Sequence, residues 1–227
     1  MSLKSNDRTE KNLIIDELHR FSILQDSREI FIHGFIGDTD EDPGVEYRMA
    51  NTAVRNILFL ERLNPEKPII IHHHSVGGGW CEGMMIYDMI SNTSCPTISI
   101  THGVAASMGS IVPLGANVVV TMPYCSWMIH EGGAELGVNT YKQIISFVEW
   151  EKIAQKQMRE IYLMHLKRAS RFKDSTDKQI ENFLTRQLEK KEDWWLGAEE
   201  AVEHGLADGV YGHKGYLDIE EIIKHVL

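Results

Sequence analysis

Cysteine is scarce in this sequence and carries no pattern. Cys81, Cys95 and Cys125 are an odd number without C-x-x-C spacing, which argues against both a disulfide framework and a zinc ribbon and suits a reducing compartment. Also missing is any Pro/Ser-rich linker, so the 227 residues are expected to form a single domain, 1–227, around one substantial core. Basic charge is in deficit: 23 Lys and Arg stand against 33 Asp and Glu, a formal net charge of −10. With no basic stripe to release counterions, nucleic acid and anionic membranes are poor partners, whereas small substrates and peptides remain open. No apolar run approaches the length of a membrane span, and the opening MSLKSNDRTEKN lacks the apolar centre of a signal peptide. The expectation is a cytoplasmic, unanchored protein whose polar residues 1–15 are mobile.

What the sequence does contain is concentrated in ISITHGVAASMGSIVPLGANVVVTMPYCSWMIHEGG, residues 98–133. Residues 98–101 read as a short buried strand that Gly103 breaks, and Ala105 to Gly109 open a small-residue helix reaching about Leu114. Ser107 then sits at a helix N-terminus, where unpaired N–H groups and the positive dipole end favour a developing negative charge. Val118 to Thr121 form a second strand, and Trp127 to Ile129 deliver His130. A serine in this place is more often a plain N-cap, and a lone A-x-S-x-G carries little weight by itself.

Before this stretch, Asp16 to Leu24 reads as a short helix and Glu29 to His33 as a strand ending at Gly34. FIGDTDEDPG is an acidic loop, and Glu46 to Leu63 is a helix stopped by Asn64 and Pro65. Ile69 to Ile71 begin a buried strand followed by HHHSVGGG, whose glycines let a backbone turn present its N–H groups to a ligand. Adjacent strand residues face opposite ways, so at most His72 and His74 share a side, and no metal site is expected of His72, His73 and His74. Strands alternating with helices predict βαβ units on a parallel sheet, with the glycine loop and Ser107 both at the carboxyl edge where ligands gather. Residues 139–172 read as one long helix with more apolar surface than a small domain covers. Helices over 177–189 and 198–204 follow, with Gly205 as C-cap, and the chain ends in a short strand, a turn and an amphipathic helix.

Taken in order, FLERLNPEKPI, SVGGGWCEGMMIYDMI, GVAASMGS, MIHEGG and DWWLGAEEAVEHGLAD make the chain resemble the Clp protease proteolytic subunit (ClpP) family from about Phe21 to His213. The resemblance implies an α/β, ClpP/crotonase-like fold of repeated β-β-α and βαβ units with a protruding handle helix over 139–172. It implies a serine endopeptidase, the proteolytic subunit of an ATP-dependent chambered protease. It also implies two stacked heptameric rings, peptide and unfolded-protein substrates, and a Clp-type AAA+ unfoldase that uses the ATP, so that this subunit needs no metal or cofactor. Carried over by residue, the nucleophile is Ser107, the general base His130 and the orienting carboxylate Asp193. The oxyanion donors are the backbone N–H groups of Gly78 and Met108.

The sequence departs from the family in several places. The segment between His130 and Asp193 is longer than usual, which leaves Asp177, Glu189 and Glu192 as alternatives to Asp193. The strand IIIHHH stands where the family carries tyrosines of its ATPase docking pocket, Asp38 to Glu46 has no obvious counterpart, and Val76 replaces a proline before Gly77. Two other functions compete: a noncatalytic or accessory ClpP-like scaffold, and a crotonase-like acyl-CoA enzyme that shares the paired N–H oxyanion hole.

Overall fold

The computed structural model describes residues 5–36, 47–133, 137 and 139–227; the acidic segment 38–46 lies outside them. The chain opens with helix α1 (Ser5–Phe21), which starts well before the expected Asp16. Polarity does not bar a helix, and this run has no glycine or proline to interrupt it, while Asp16 and Arg20 pair one turn apart at 3.4 Å. Strand β1 (Ile23–Leu24) and strand β2 (Glu29–Ile36) form an antiparallel pair around a turn that ends on Arg28. Arg28 is buried, and its guanidinium donates to the carbonyls of Leu60, Asn64, Lys67 and Pro68 at 3.0–3.1 Å. Those oxygens lie at and beyond the end of helix α2 (Tyr47–Leu63), so one side chain satisfies the helix's orphan carbonyls and ties it to the hairpin.

Strand β3 (Ile69–Gly78), helix α3 (Trp80–Asn92) and strand β4 (Thr97–Ala106) continue the βαβ pattern. Two sequence expectations are corrected here. The segment from His72 to Gly78 is not a loop but the second half of β3, paired with β2 as far as Ile36↔Gly78 across a bulge at Gly34 and Phe35. Gly103 does not end β4. Its φ of +55° lets the strand bend and change neighbours, so that 98–101 pair with strand β5 (Val118–Thr121) and 104–106 with strand β6 (Ser126–Ile129). The helix that follows is accordingly shorter than expected: α4 (Met108–Ile111) runs directly into a 3₁₀ turn over Val112–Gly115.

Helix α5 (Tyr141–Leu166) starts at a capping box between Thr140 and Gln143. It stops short of the expected residue 172, because the chain turns after Leu166 and buries Phe172 against Phe183, with ring centroids 5.0 Å apart. Helix α6 (Asp177–Lys191), strand β7 (Trp194–Leu196), helix α7 (Ala198–Glu203), strand β8 (Gly209–Val210) and helix α8 (Ile219–Ile223) complete the chain. Gly205, with φ of +74°, ends α7 as expected, and Leu206 N–H closes the turn on Ala201 O at 2.9 Å.

Among the described residues the sheet runs β1-β2-β3-β4-β5-β8, parallel from β2 onward, with β6 parallel to the far end of β4 and β7 antiparallel to β6. Its main core includes Ile30, Ile32, Ile57, Leu60, Ile71, Trp127 and Tyr162. On the other face, Ile70, Ile98, Ile100, Val118 and Val120 form a smaller cluster with Ile222 of α8. Helix α5 divides along its length: Ala154, Met158, Ile161, Tyr162 and Leu166 are buried, whereas Tyr141, Ile144, Ile145, Val148 and Ile153 are exposed.

Candidate active site

Ser107 occupies the turn between β4 and α4 with φ 54° and ψ −128°, a conformation that costs a non-glycine residue roughly 1–3 kcal/mol. Its side chain makes no capping bond to α4, so the plain N-cap reading is not what the geometry gives. The surrounding bonds hold the turn: Ser107 N–H donates to Met128 O at 2.9 Å, and Ser107 O accepts from Ser110 N–H at 2.9 Å and Ser110 Oγ at 2.8 Å. Because the Ser110 hydroxyl is used as a donor there, the buried Tyr162 hydroxyl, 2.7 Å away, must donate to Ser110 Oγ. Burial pushes the Tyr162 phenol above its ordinary pKa, which keeps that proton in place. The end of β3 closes the other side. A Cβ on Gly77, whose φ is +103°, would lie 2.6 Å from Ser107 Cβ, and one on Gly78 would overlap the Ile36 backbone.

The chain Tyr162–Ser110–Ser107 was not visible in the sequence, where Tyr162 reads only as one apolar position of a long helix. Tyr162→Phe is expected to lower kcat for peptide cleavage about tenfold, the cost of roughly one buried hydrogen bond, with KM little changed. Steady-state kinetics check this; an unchanged kcat would remove Tyr162 from the support of the turn.

His130 follows β6 directly, and Asp193 directly precedes β7. The antiparallel register pairs Ile129 with Trp194, so the next pair outward is His130 opposite Asp193. His130 Nε2 lies 2.7 Å from Ser107 Oγ, and His130 Nδ1 lies 3.3 Å from Asp193 Oδ1, with the Asp193 side chain half exposed. Of the alternatives, Asp177 instead pairs with Lys167 Nζ at 2.7 Å, and Glu192 serves as the C-cap of α6 with φ 54°. Glu189 lies on α6, one turn before that cap.

Ser107 and His130 open onto a cavity of about 560 Å³ whose lining includes Gly78, Met108, Met128, Phe147, Trp150 and Met158. Both expected oxyanion residues, Gly78 and Met108, therefore border the same space as Ser107 Oγ. Arg159 of α5 donates to Glu131, the residue after His130, and to Thr185 Oγ1 of α6 at 3.0 Å, joining both helices to the end of β6. Glu131 beside His130 was a sequence signal for this contact, but its partner 28 residues away was not.

The three consecutive histidines separate as strand alternation requires. His73 points into the core, where its Nε2–H donates to Gly109 O at 2.7 Å; burial lowers its pKa to about 4, so the ring stays neutral and supports α4. His72 and His74 lie on the opposite face. No group of three or more His, Cys, Asp or Glu residues is arranged to hold a metal among the described residues.

A family model described as Clp protease matches residues 16–214. The chain belongs to the Clp protease family. Among curated relatives in that family, the ATP-dependent Clp protease proteolytic subunit 1 of Chlamydia trachomatis serovar D is 30% identical over 192 residues, covering 82% of this chain and 88% of the relative. The ATP-dependent Clp protease proteolytic subunit 3 of Synechococcus sp. (strain CC9605) is 32% identical, covering 73% of this chain and 77% of its own. The corresponding subunit of Deinococcus radiodurans is 32% identical and covers 73% and 76%. Clp protease membership carries the ClpP/crotonase-like α/β fold with it, and the match spans every strand of the sheet.

Proposed function

We propose that this Clp-type serine peptidase uses Ser107 as its nucleophile, His130 as its general base and Asp193 as the carboxylate that orients the imidazole. The observation that carries the assignment is the 2.7 Å approach of His130 Nε2 to Ser107 Oγ, with Asp193 on the far side of the ring. The Ser107 hydroxyl donates to Nε2, which leaves the ring proton on Nδ1, facing Asp193. As Oγ attacks a peptide carbonyl carbon, its proton passes to Nε2, and the imidazolium that forms faces a carboxylate. The carbonyl oxygen becomes an oxyanion received by the N–H groups of Gly78 and Met108. Collapse breaks the C–N bond, His130 protonates the departing amine, and the acyl group stays on Ser107. Water then attacks with His130 again as base, releasing the carboxylic acid and restoring the hydroxyl. The 3.3 Å separation at Asp193 is long for an N–H···O bond, and ligand-free sites commonly tighten when substrate binds.

Substrates in this reading are peptides and unfolded proteins. The apolar walls given by Met128, Phe147, Trp150 and Met158 suit an extended chain with an apolar side chain beside the scissile bond. Neither metal nor cofactor enters any step. The listed relatives are named ATP-dependent, and by likeness to them the ATP belongs to a partner, a Clp-type AAA+ unfoldase, with both working in the cytoplasm. A scaffold subunit would have no use for a serine held in strain against a histidine, and an acyl-CoA enzyme would not need that pair. Labelling with a fluorophosphonate, followed by peptide mapping, tests the reading: the adduct is expected on Ser107, and labelling elsewhere or not at all refutes it.

The exposed half of α5 supports assembly into two stacked heptameric rings, because Ile144, Ile145, Val148 and Ile153 form an apolar face that the chain itself leaves uncovered. Val148→Glu and Ile153→Glu, each placing an unpaired charge in such a contact, are expected to give smaller assemblies with reduced peptidase activity. Native mass spectrometry and a peptide assay check both; two full-size variants would mean that α5 is not the seam.

A further inference from the structure

Outside the catalytic cavity, four histidines gather on the outer face of three neighbouring strands: His33 on β2, His72 and His74 on β3, and His102 on β4. His72 Nδ1 and His102 Nε2 point at one another, 3.0 Å apart. Two imidazole nitrogens bound to one tetrahedral Zn²⁺ at about 2.0–2.1 Å stand about 3.3 Å apart, so the two rings already hold nearly the separation a shared ion requires. The other nitrogen of His72, Nε2, is 2.8 Å from Glu29 Oε2. A carboxylate behind a ligating histidine fixes its tautomer, turns its free lone pair towards the ion and strengthens it as a donor. Phe31 stacks on His72 at 4.8 Å and 13°, which sets the plane of the ring.

We propose that His72 and His102, with Glu29 behind His72, form a binding site for a borderline divalent transition metal such as Zn²⁺ or Ni²⁺. No three ligands converge there among the described residues, so the remaining positions belong to water or to an exposed neighbour. His74 is the nearest candidate: it is exposed on the same face, and its ring already sits at His102 O, 2.9 Å from Nδ1. Its register partner across β2 is His33, also exposed. Binding asks only that the His102 ring proton move from Nε2 to Nδ1 through solvent, with no net proton lost. Burial and the charges of His72, His74 and His33 hold His102 down to about 4, so at neutral pH no added proton competes with the metal.

The test is isothermal titration of untagged protein with ZnCl₂ and with NiCl₂ in a non-chelating buffer near neutral pH, accompanied by thermal unfolding with and without metal. The expected result is one ion per chain and a raised melting temperature. His72→Ala and His102→Gln should each abolish the site, and Glu29→Gln should weaken it about 10- to 100-fold. Metal-free melting curves and fluorophosphonate labelling of the variants should match the parent, since none of these residues belongs to the catalytic machinery. Absence of binding, or binding undiminished in His102→Gln, overturns the proposal and leaves the proposed peptidase chemistry untouched.

Discussion

Ser107→Ala is expected to abolish peptide hydrolysis, lowering kcat by roughly 10⁶-fold, while leaving the fold and the assembly as they are. The change removes the single oxygen that approaches His130 at 2.7 Å, and nothing else near that nitrogen can take its place as a nucleophile fixed by the fold. Structure should survive because the turn is held by backbone and neighbouring groups: Ser107 N–H on Met128 O, and the Ser110 donors on Ser107 O. Alanine at a φ of 54° is strained to the same degree as serine, so no large change in stability accompanies the loss. Single-turnover assays beside native mass measurement check both halves. Hydrolysis persisting at the parental rate would take Ser107 out of the chemistry.

Asp193→Asn is expected to lower turnover by about 10⁴-fold with folding preserved. Asparagine keeps the size of the side chain but removes the charge that faces the imidazolium, and its amide nitrogen favours the wrong ring tautomer. The comparison that matters is with Asp177→Asn, Glu189→Gln and Glu192→Gln, which should each retain close to full activity. Asp177 is occupied with Lys167 at 2.7 Å, and Glu192 is turned by its positive φ into the cap of α6. If one of those three loses activity while Asp193→Asn keeps it, the orienting group has been misassigned.

Much of the order of elements could be read from hydrophobic periodicity and turn residues, because β3, α3, β5 and α7 each present a clean pattern. Legibility failed where glycine permits two outcomes. Gly103 and the run Gly77–Gly79 signal a break when considered locally, yet a positive φ bends a strand as readily as it ends one. Only the neighbours decide: β6 waits beside 104–106, and β2 beside 77–78. The same limit governs the site. Ser107 and His130 lie in one continuous motif and could be singled out together. Asp193 is 63 positions beyond His130, and no local pattern separates it from Asp177, Glu189 or Glu192; the register of β6 with β7 does. Tyr162 and Arg159 were illegible as supports because each meets its partner across tertiary packing, on a helix whose sequence pattern speaks only of burial.

The nucleophile and its base are anchored very differently. β4 carries Ser107 through the interior of the sheet, bonded to β3 at Ala105 and to β6 at Ala106. His130 and Asp193 ride on the ends of a four-residue and a three-residue strand at the margin, steadied by Arg159 from a helix that is itself half exposed. Stiffness therefore falls away along the proton's route, from the oxygen that attacks to the carboxylate at the rim. A contact that tugs on Trp195 or Glu131 re-aims the imidazole while the serine stays where it is. In such a machine the throttle lies at the periphery: whatever touches that margin governs how fast the enzyme turns over, and it does so without rebuilding the turn that holds the reacting oxygen.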